Sequence, residues 1–141
     1  MQRLSRFLEV RIHDETLGPD RAVGPGGAIV LWAETMERIL GGSALAERGK
    51  RAEKVGDEAA VELLKEIESG ATLDVRAGDQ VRVYAAMAKE PSEFLVREVT
   101  EHARTMMWLL GSFLGTQFET VAEGGLQRVS VHPRHPKAAG A

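Results

Sequence analysis

Thr100-Glu101-His102-Ala103-Arg104-Thr105-Met106-Met107-Trp108-Leu109-Leu110-Gly111-Ser112-Phe113-Leu114 sets a histidine just ahead of a run of apolar residues at helical spacing. Ala103, Met106, Met107, Leu110, Phe113 and Leu114 fall on one face, which predicts a helix from about Glu101 to Leu114 with that stripe against a core. Thr100 suits the N-cap, because its hydroxyl can accept a hydrogen bond from an amide that the first helical turn leaves unpaired. His102 then stands near the positive end of the helix macrodipole, which disfavours the imidazolium and leaves a ring nitrogen free to attack. Taken alone, a histidine in such a place is more often an ordinary polar surface residue or a satisfied histidine at a helix start.

Outward from this helix, Phe94 to Val99 reads as a strand and Glu90-Pro91-Ser92 as the turn before it. A further helix is expected from about Asp79 to Ala88, with Asp79-Gln80 at its start and the Asp79 carboxylate as a simple cap. The functional alternative for Asp79 and Gln80, orienting His102 or reading a nucleotide's polar edge, requires tertiary proximity. A short strand is expected near Leu73. On the other side, Gln117 to Val121 and Gln127 to Val131 flank Glu123-Gly124-Gly125 as a β-hairpin. Residues Pro133 to Ala141 read as a disordered tail, and His132 and His135 are assigned to that proline-containing end.

In the first half, Val55, Ala59, Leu63 and Ile67 recur every four positions from Ala52 to Glu68, joined by Ala60 and Leu64. That is an amphipathic helix, and Ser69-Gly70 ends it. A domain boundary is placed there. Before it, Ala28 to Ala33 reads as a buried strand after the turn Val23 to Gly27, and the loosely alternating Phe7 to Asp14 suits a partner strand, although a frayed helix end also fits. The fold class is therefore α+β: a unit of two helices on one side of a mixed sheet, preceded by a separate smaller unit of strand and helix.

Composition narrows the chemistry without naming it. The 141 residues are 43% hydrophobic and 28% charged, with no apolar run long enough for a membrane span. Met1 to Arg6 soon meets Glu9 and Asp14 and does not read as a signal peptide, so a cytoplasmic protein without membrane partners is expected. Cysteine is absent, which removes disulfides, thiolate nucleophiles and cysteine metal sites. A net charge of −3 gives no bulk attraction to nucleic acid, so any RNA contact needs a local basic patch. Arg48, Lys50, Arg51 and Lys54 form one such cluster, although a solvated charged helix start fits equally. Neither glycine-rich segment is a phosphate loop. Arg51 stands where a Walker motif after Gly49-Lys50 needs serine or threonine, and Ile29 replaces the third glycine of a dinucleotide fingerprint.

A set of short stretches in order resembles the C-terminal part of the RNA 3′-terminal phosphate cyclase family. They are Leu31-Trp32-Ala33-Glu34-Thr35, Gly41-Gly42-Ser43-Ala44-Leu45, Glu47-Arg48-Gly49, Ala52-Glu53-Lys54-Val55-Gly56 with Ala59-Ala60, and Ser69-Gly70-Ala71-Thr72-Leu73-Asp74, then Asp79-Gln80 and Thr100-Glu101-His102 with Thr105. The resemblance implies residues 1–70 as the C-terminal part of the inserted domain, 71–132 as the last core repeat unit, and 133–141 as a tail.

It further implies a ligase that uses ATP to convert an RNA 3′-phosphate to a 2′,3′-cyclic phosphate through an adenylated histidine, matched here by His102. Asp79 and Gln80 match positions that line the adenylate pocket. A divalent metal, Mg or Mn, is implied with ligands outside this stretch. The partners implied are RNA 3′-phosphate ends and the missing N-terminal half of the cyclase, without which inactivity is expected. Apolar surface built to meet that half would support self-association. Met106 stands where the family's motif has asparagine, one turn beyond His102 on roughly the same face. The alternative is a non-catalytic cyclase-like remnant or an RNA or ribosome-biogenesis binding module.

Overall fold

The computed structural model describes residues 11–134. Two antiparallel strands, β1 (Ala28–Glu34) and β2 (Ile39–Leu45), lead into helix α1 (Ala52–Ser69). Helix α2 (Val75–Met87), strand β3 (Ser92–Val96), helix α3 (Glu101–Leu114) and strands β4 (Gln117–Glu123) and β5 (Leu126–His132) follow. The three later strands form a sheet of order β3-β5-β4 with both pairings antiparallel. The α+β class and the two-helices-on-a-sheet unit expected from the sequence are both present, but the sheet expected to be mixed is antiparallel throughout among the described residues.

The first layer is built by the heptad-like stripe of α1. Val55, Ala59, Ala60 and Leu63 are buried, and Ala60 and Leu63 pack with Leu40, Leu31 and Ala33 on one face of the β1-β2 ribbon. β2 lies close because Gly42 has no side chain: a Cβ there would fall 2.5 Å from the Leu63 nitrogen and 2.7 Å from the Ala59 carbonyl oxygen. Gly70 stops α1 in the left-handed conformation, at φ 76°. β1 is alternately half-buried and exposed rather than fully buried, because a two-stranded ribbon has only one covered face.

In the second layer Phe94, Val96, Val129 and Val131 line one face of the sheet, and Ala85 of α2 and Ala103 of α3 close over them. The β4-β5 hairpin turns on Gly124 and Gly125, both with positive φ (59° and 85°), the requirement of the tight turn whose twist matches the strands. The two layers are tied by polar contacts. The Arg38 guanidinium donates to the carbonyls of Gly70 and Ala71 (2.7 Å each), and the Gly41 amide donates to Asp74 Oδ2 (2.9 Å). Arg97 donates to Glu66 Oε1 (2.9 Å) and Glu62 Oε1 (3.1 Å) on α1.

Several expectations are corrected. Residues 11–14 carry no strand, and the rest of the expected Phe7–Asp14 strand lies outside the described residues; β1 pairs instead with β2. Gly41-Gly42-Ser43-Ala44 has weak intrinsic strand preference, so β2 exists by packing and escapes a propensity reading. No strand forms at Leu73: Thr72 and Leu73 both point their amides at the Leu95 carbonyl, short of a ladder. His132, assigned to the tail, instead closes β5 opposite Gln117; His135 and the rest of the tail after Arg134 lie outside the described residues. Phe113 and Leu114, expected in the core, are exposed together with Trp108, because the last turns of α3 run past the covered face.

Candidate functional site

The start of α2 fixes everything that follows. Asp74, not Asp79, is its N-cap, accepting from the Ala77 amide at 2.8 Å with one oxygen and from Gly41 with the other. Asp79 is thereby moved into the second turn, where its side chain is half-buried. Its two oxygens are both engaged. The Thr100 hydroxyl donates to Oδ2 at 2.8 Å, and Arg82 Nη1 donates to Oδ1 at 3.1 Å. Gln80, one position on, is exposed.

Thr100 is the N-cap of α3, as expected, and its hydroxyl accepts from the Ala103 amide at 3.0 Å. One hydroxyl therefore serves two partners, giving to Asp79 and receiving from the helix. His102 lies between Thr100 and Ala103, exposed, and among the described residues its ring makes no hydrogen bond. A ring nitrogen of His102 is accordingly open to a ligand at the positive end of a 14-residue helix. Met106 sits half-buried one turn later. The fold thus brings Asp79 to the first turn of the helix that carries His102, while Gln80 reaches solvent.

Arg82 is the residue that sequence reasoning passed over. It is fully buried, stacked 5.5 Å from the Phe94 ring centroid, and bonded through Nη1 to the Gly78 carbonyl as well as to Asp79. Burial pushes its guanidinium below the usual arginine value, opposed by the charge and hydrogen bond of Asp79. The available signal was an arginine between two valines, spaced three from an aspartate on one helix.

Half of the basic cluster at the start of α1 is taken up by carboxylates, while Arg48 and Lys54 are exposed. Lys50 Nζ bonds Glu58 and Glu47 at 2.9 Å each, and those bonds raise its pKa above the ordinary lysine value. Arg51 pairs with Glu53 at 3.5 Å. A shallow pocket lined by Gly115, Gln117, His132, Pro133 and Arg134 lies at the far end of α3 from His102, about 20 Å along the helix axis, and does not join the site. Among the described residues no three histidine, aspartate or glutamate side chains gather in a group that could hold a metal ion. No helix among these residues is long and apolar enough to cross a membrane.

Residues 1–68 match the insert domain of RNA 3′-terminal phosphate cyclase (RTC). A Nitrosospira multiformis protein named RNA 3′-terminal phosphate cyclase is 46% identical over 133 residues, covering 94% of this chain and 38% of its own length. The chain belongs to the RNA 3′-terminal phosphate cyclase family. Cyclases so named from Thermococcus onnurineus and Pyrococcus abyssi are each 45% identical, over 88% of this chain. The matched stretch is 36% of the first of these and 35% of the second, so the chain spans little more than a third of its cyclase relatives. Insert-domain similarity ends at the last turn of α1, next to the Gly70 cap that the composition marks as a boundary.

Proposed function

We propose that this chain is the nucleophile-bearing C-terminal part of an RNA 3′-terminal phosphate cyclase, acting in the cytoplasm together with the units that precede this stretch in its relatives. The observation that carries the reading is the exposed, unbonded His102 ring on the first turn of a helix whose cap is locked to Asp79, in a chain 46% identical to a protein named as a cyclase. Residues 71–132 would be the last core unit and residues 1–70 the end of the insert.

In this reading a ring nitrogen of His102 attacks the α-phosphorus of ATP. The P–N bond forms, the bond to the bridging oxygen breaks, and pyrophosphate leaves. An oxygen of the RNA 3′-phosphate then displaces His102 and takes the adenylyl group. The neighbouring 2′-hydroxyl closes on the activated phosphorus, giving the 2′,3′-cyclic phosphate and AMP. The exposed amides at the α3 N-terminus suit the anionic phosphates of the nucleotide, and Gln80 is free to meet its polar edge. A divalent ion, held by the preceding units, would neutralise phosphate charge.

The test is incubation with ATP labelled at the α-phosphate, alone and with the N-terminal half of a cyclase relative. Acid-labile label on the protein that disappears in His102→Ala is the expected result. Label that persists in that variant, or no label in either mixture, overturns the nucleophile reading and leaves a binding module.

A further inference from the structure

Arg82 is expensive to bury. Its side chain is fully enclosed, yet Nε and Nη2 have no hydrogen-bond partner among the described residues. An apolar side chain of similar volume would fill the same space without that penalty. What the guanidinium does engage is a continuous chain of bonds: Arg82 Nη1 to Asp79 Oδ1, Thr100 Oγ1 to Asp79 Oδ2, and the Ala103 amide to Thr100 Oγ1. The chain runs from the interior of α2 to the first turn of α3, where Thr100 and Ala103 bracket Glu101 and His102.

We propose that Arg82 is a positioning residue, which holds the Asp79 carboxylate onto the Thr100 hydroxyl and so fixes the turn that presents His102. The proposal rests on His102 being the nucleophile. It also changes what Asp79 does: with both oxygens engaged inside the protein, Asp79 sets the helix start, and contact with the nucleotide base falls to the exposed Gln80. The physics is cooperative. A carboxylate that also accepts from a guanidinium is held in one rotamer, and a hydroxyl giving its proton to it becomes a better acceptor for the Ala103 amide. A nucleophile must sit within a few tenths of an ångström of its line of attack, so a frayed first turn lowers the rate while leaving nucleotide affinity in place.

Arg82→Met, Arg82→Lys and Thr100→Val would be made in the full chain. Thermal midpoint, amide hydrogen exchange and the ring signals of isotope-labelled His102 would be followed by NMR. In Arg82→Met the midpoint is expected to change little, since removing two unpartnered nitrogens offsets the loss of the partner of Asp79 Oδ1. The Ala103 amide should nevertheless exchange about fivefold faster, as for the loss of a cap. The His102 ring signals should shift toward those of Thr100→Val. Arg82→Lys, which can still reach Asp79, should recover most of the protection. Adenylation with the cyclase N-terminal half would fall in Arg82→Met at saturating ATP with KM for ATP unchanged.

Wild-type exchange at Ala103 and wild-type His102 signals in Arg82→Met would overturn the proposal. So would a lower midpoint with uniformly faster exchange throughout, which is the mark of a merely structural arginine. If the spectra change as expected but the unaltered chain takes no label, the nucleophile reading fails and the link from Arg82 to α3 stands. Label without the spectral change gives the reverse.

Discussion

Exchanging glycine for alanine at two positions of the first layer should move stability in opposite directions. At Gly42 the new Cβ would stand 2.5 Å from the Leu63 nitrogen, 2.7 Å from the Ala59 oxygen and 2.9 Å from the Leu63 Cα. All three are backbone atoms of α1, and ordinary carbon contacts lie near 3.5–4.0 Å, so β2 must retreat by about 1 Å. That retreat pulls Leu40 away from Ala60 and Leu63. Overpacking of this kind costs about 1–3 kcal/mol, and the reduced freedom of the unfolded chain returns about 0.4–1 kcal/mol. The net loss is about 1–2 kcal/mol, or roughly 3–7 °C in thermal midpoint for a chain of this size. At Gly56, inside α1, the nearest atom is Ile29 Cδ1 at an ordinary 3.7 Å. Gly56→Ala should therefore gain the helix preference of alanine, about 0.5–1 kcal/mol. Urea titration and thermal melts followed by circular dichroism would read both variants. A Gly42→Ala midpoint at or above wild type, or a Gly56→Ala midpoint clearly below it, would refute the packing of β2 on α1.

Removing Arg97 leaves Glu66, which is buried with Oε2 unpartnered among the described residues, without its counter-charge. Arg97→Met should cost about 2–4 kcal/mol in urea unfolding, and adding Glu66→Met should recover much of it. Lys50 has its pKa raised from 10.5 first by Glu58 and then by Glu47. Its contribution to stability is thus complete below about pH 10.5 and fades as pH climbs through the raised folded value. A stability profile across the alkaline range should show that decline in wild type and lose it in Lys50→Met. Trp108 and Phe113 are 70% and 80% exposed on α3, and large apolar side chains so exposed favour association. Sedimentation at rising concentration should show association of the isolated chain that Trp108→Glu with Phe113→Glu abolishes, with the thermal midpoint unchanged.

Local patterns carried the helices well. The four-residue spacing from Val55 to Ile67 placed α1, and Thr100 with the apolar run behind it placed α3 together with its cap. The glycine pair fixed the β4-β5 hairpin. Elements whose stability comes from elsewhere were not legible: β2, made of small residues, exists because α1 lies against it, and the start of α2 was set by Asp74, which looked no more like a cap than Asp79 did. The buried Arg82 and Glu66 were hidden for a related reason. A charged residue reads as solvent-facing until its partner, distant in sequence for Glu66 and Arg97, is brought to it.

By itself the sequence determined the family and the amphipathic faces, because periodicity, capping chemistry and ordered motifs are properties of the chain read locally. It determined that His102 opens a helix. Only the tertiary structure decided that both oxygens of Asp79 are taken up by Arg82 and Thr100, that Gln80 alone of the pair faces outward, and that the His102 ring is left uncommitted. Those outcomes depend on hydrogen bonds between α2 and α3, whose geometry is set by the packing of Ala85 and Ala103 over the sheet and is written in no single segment.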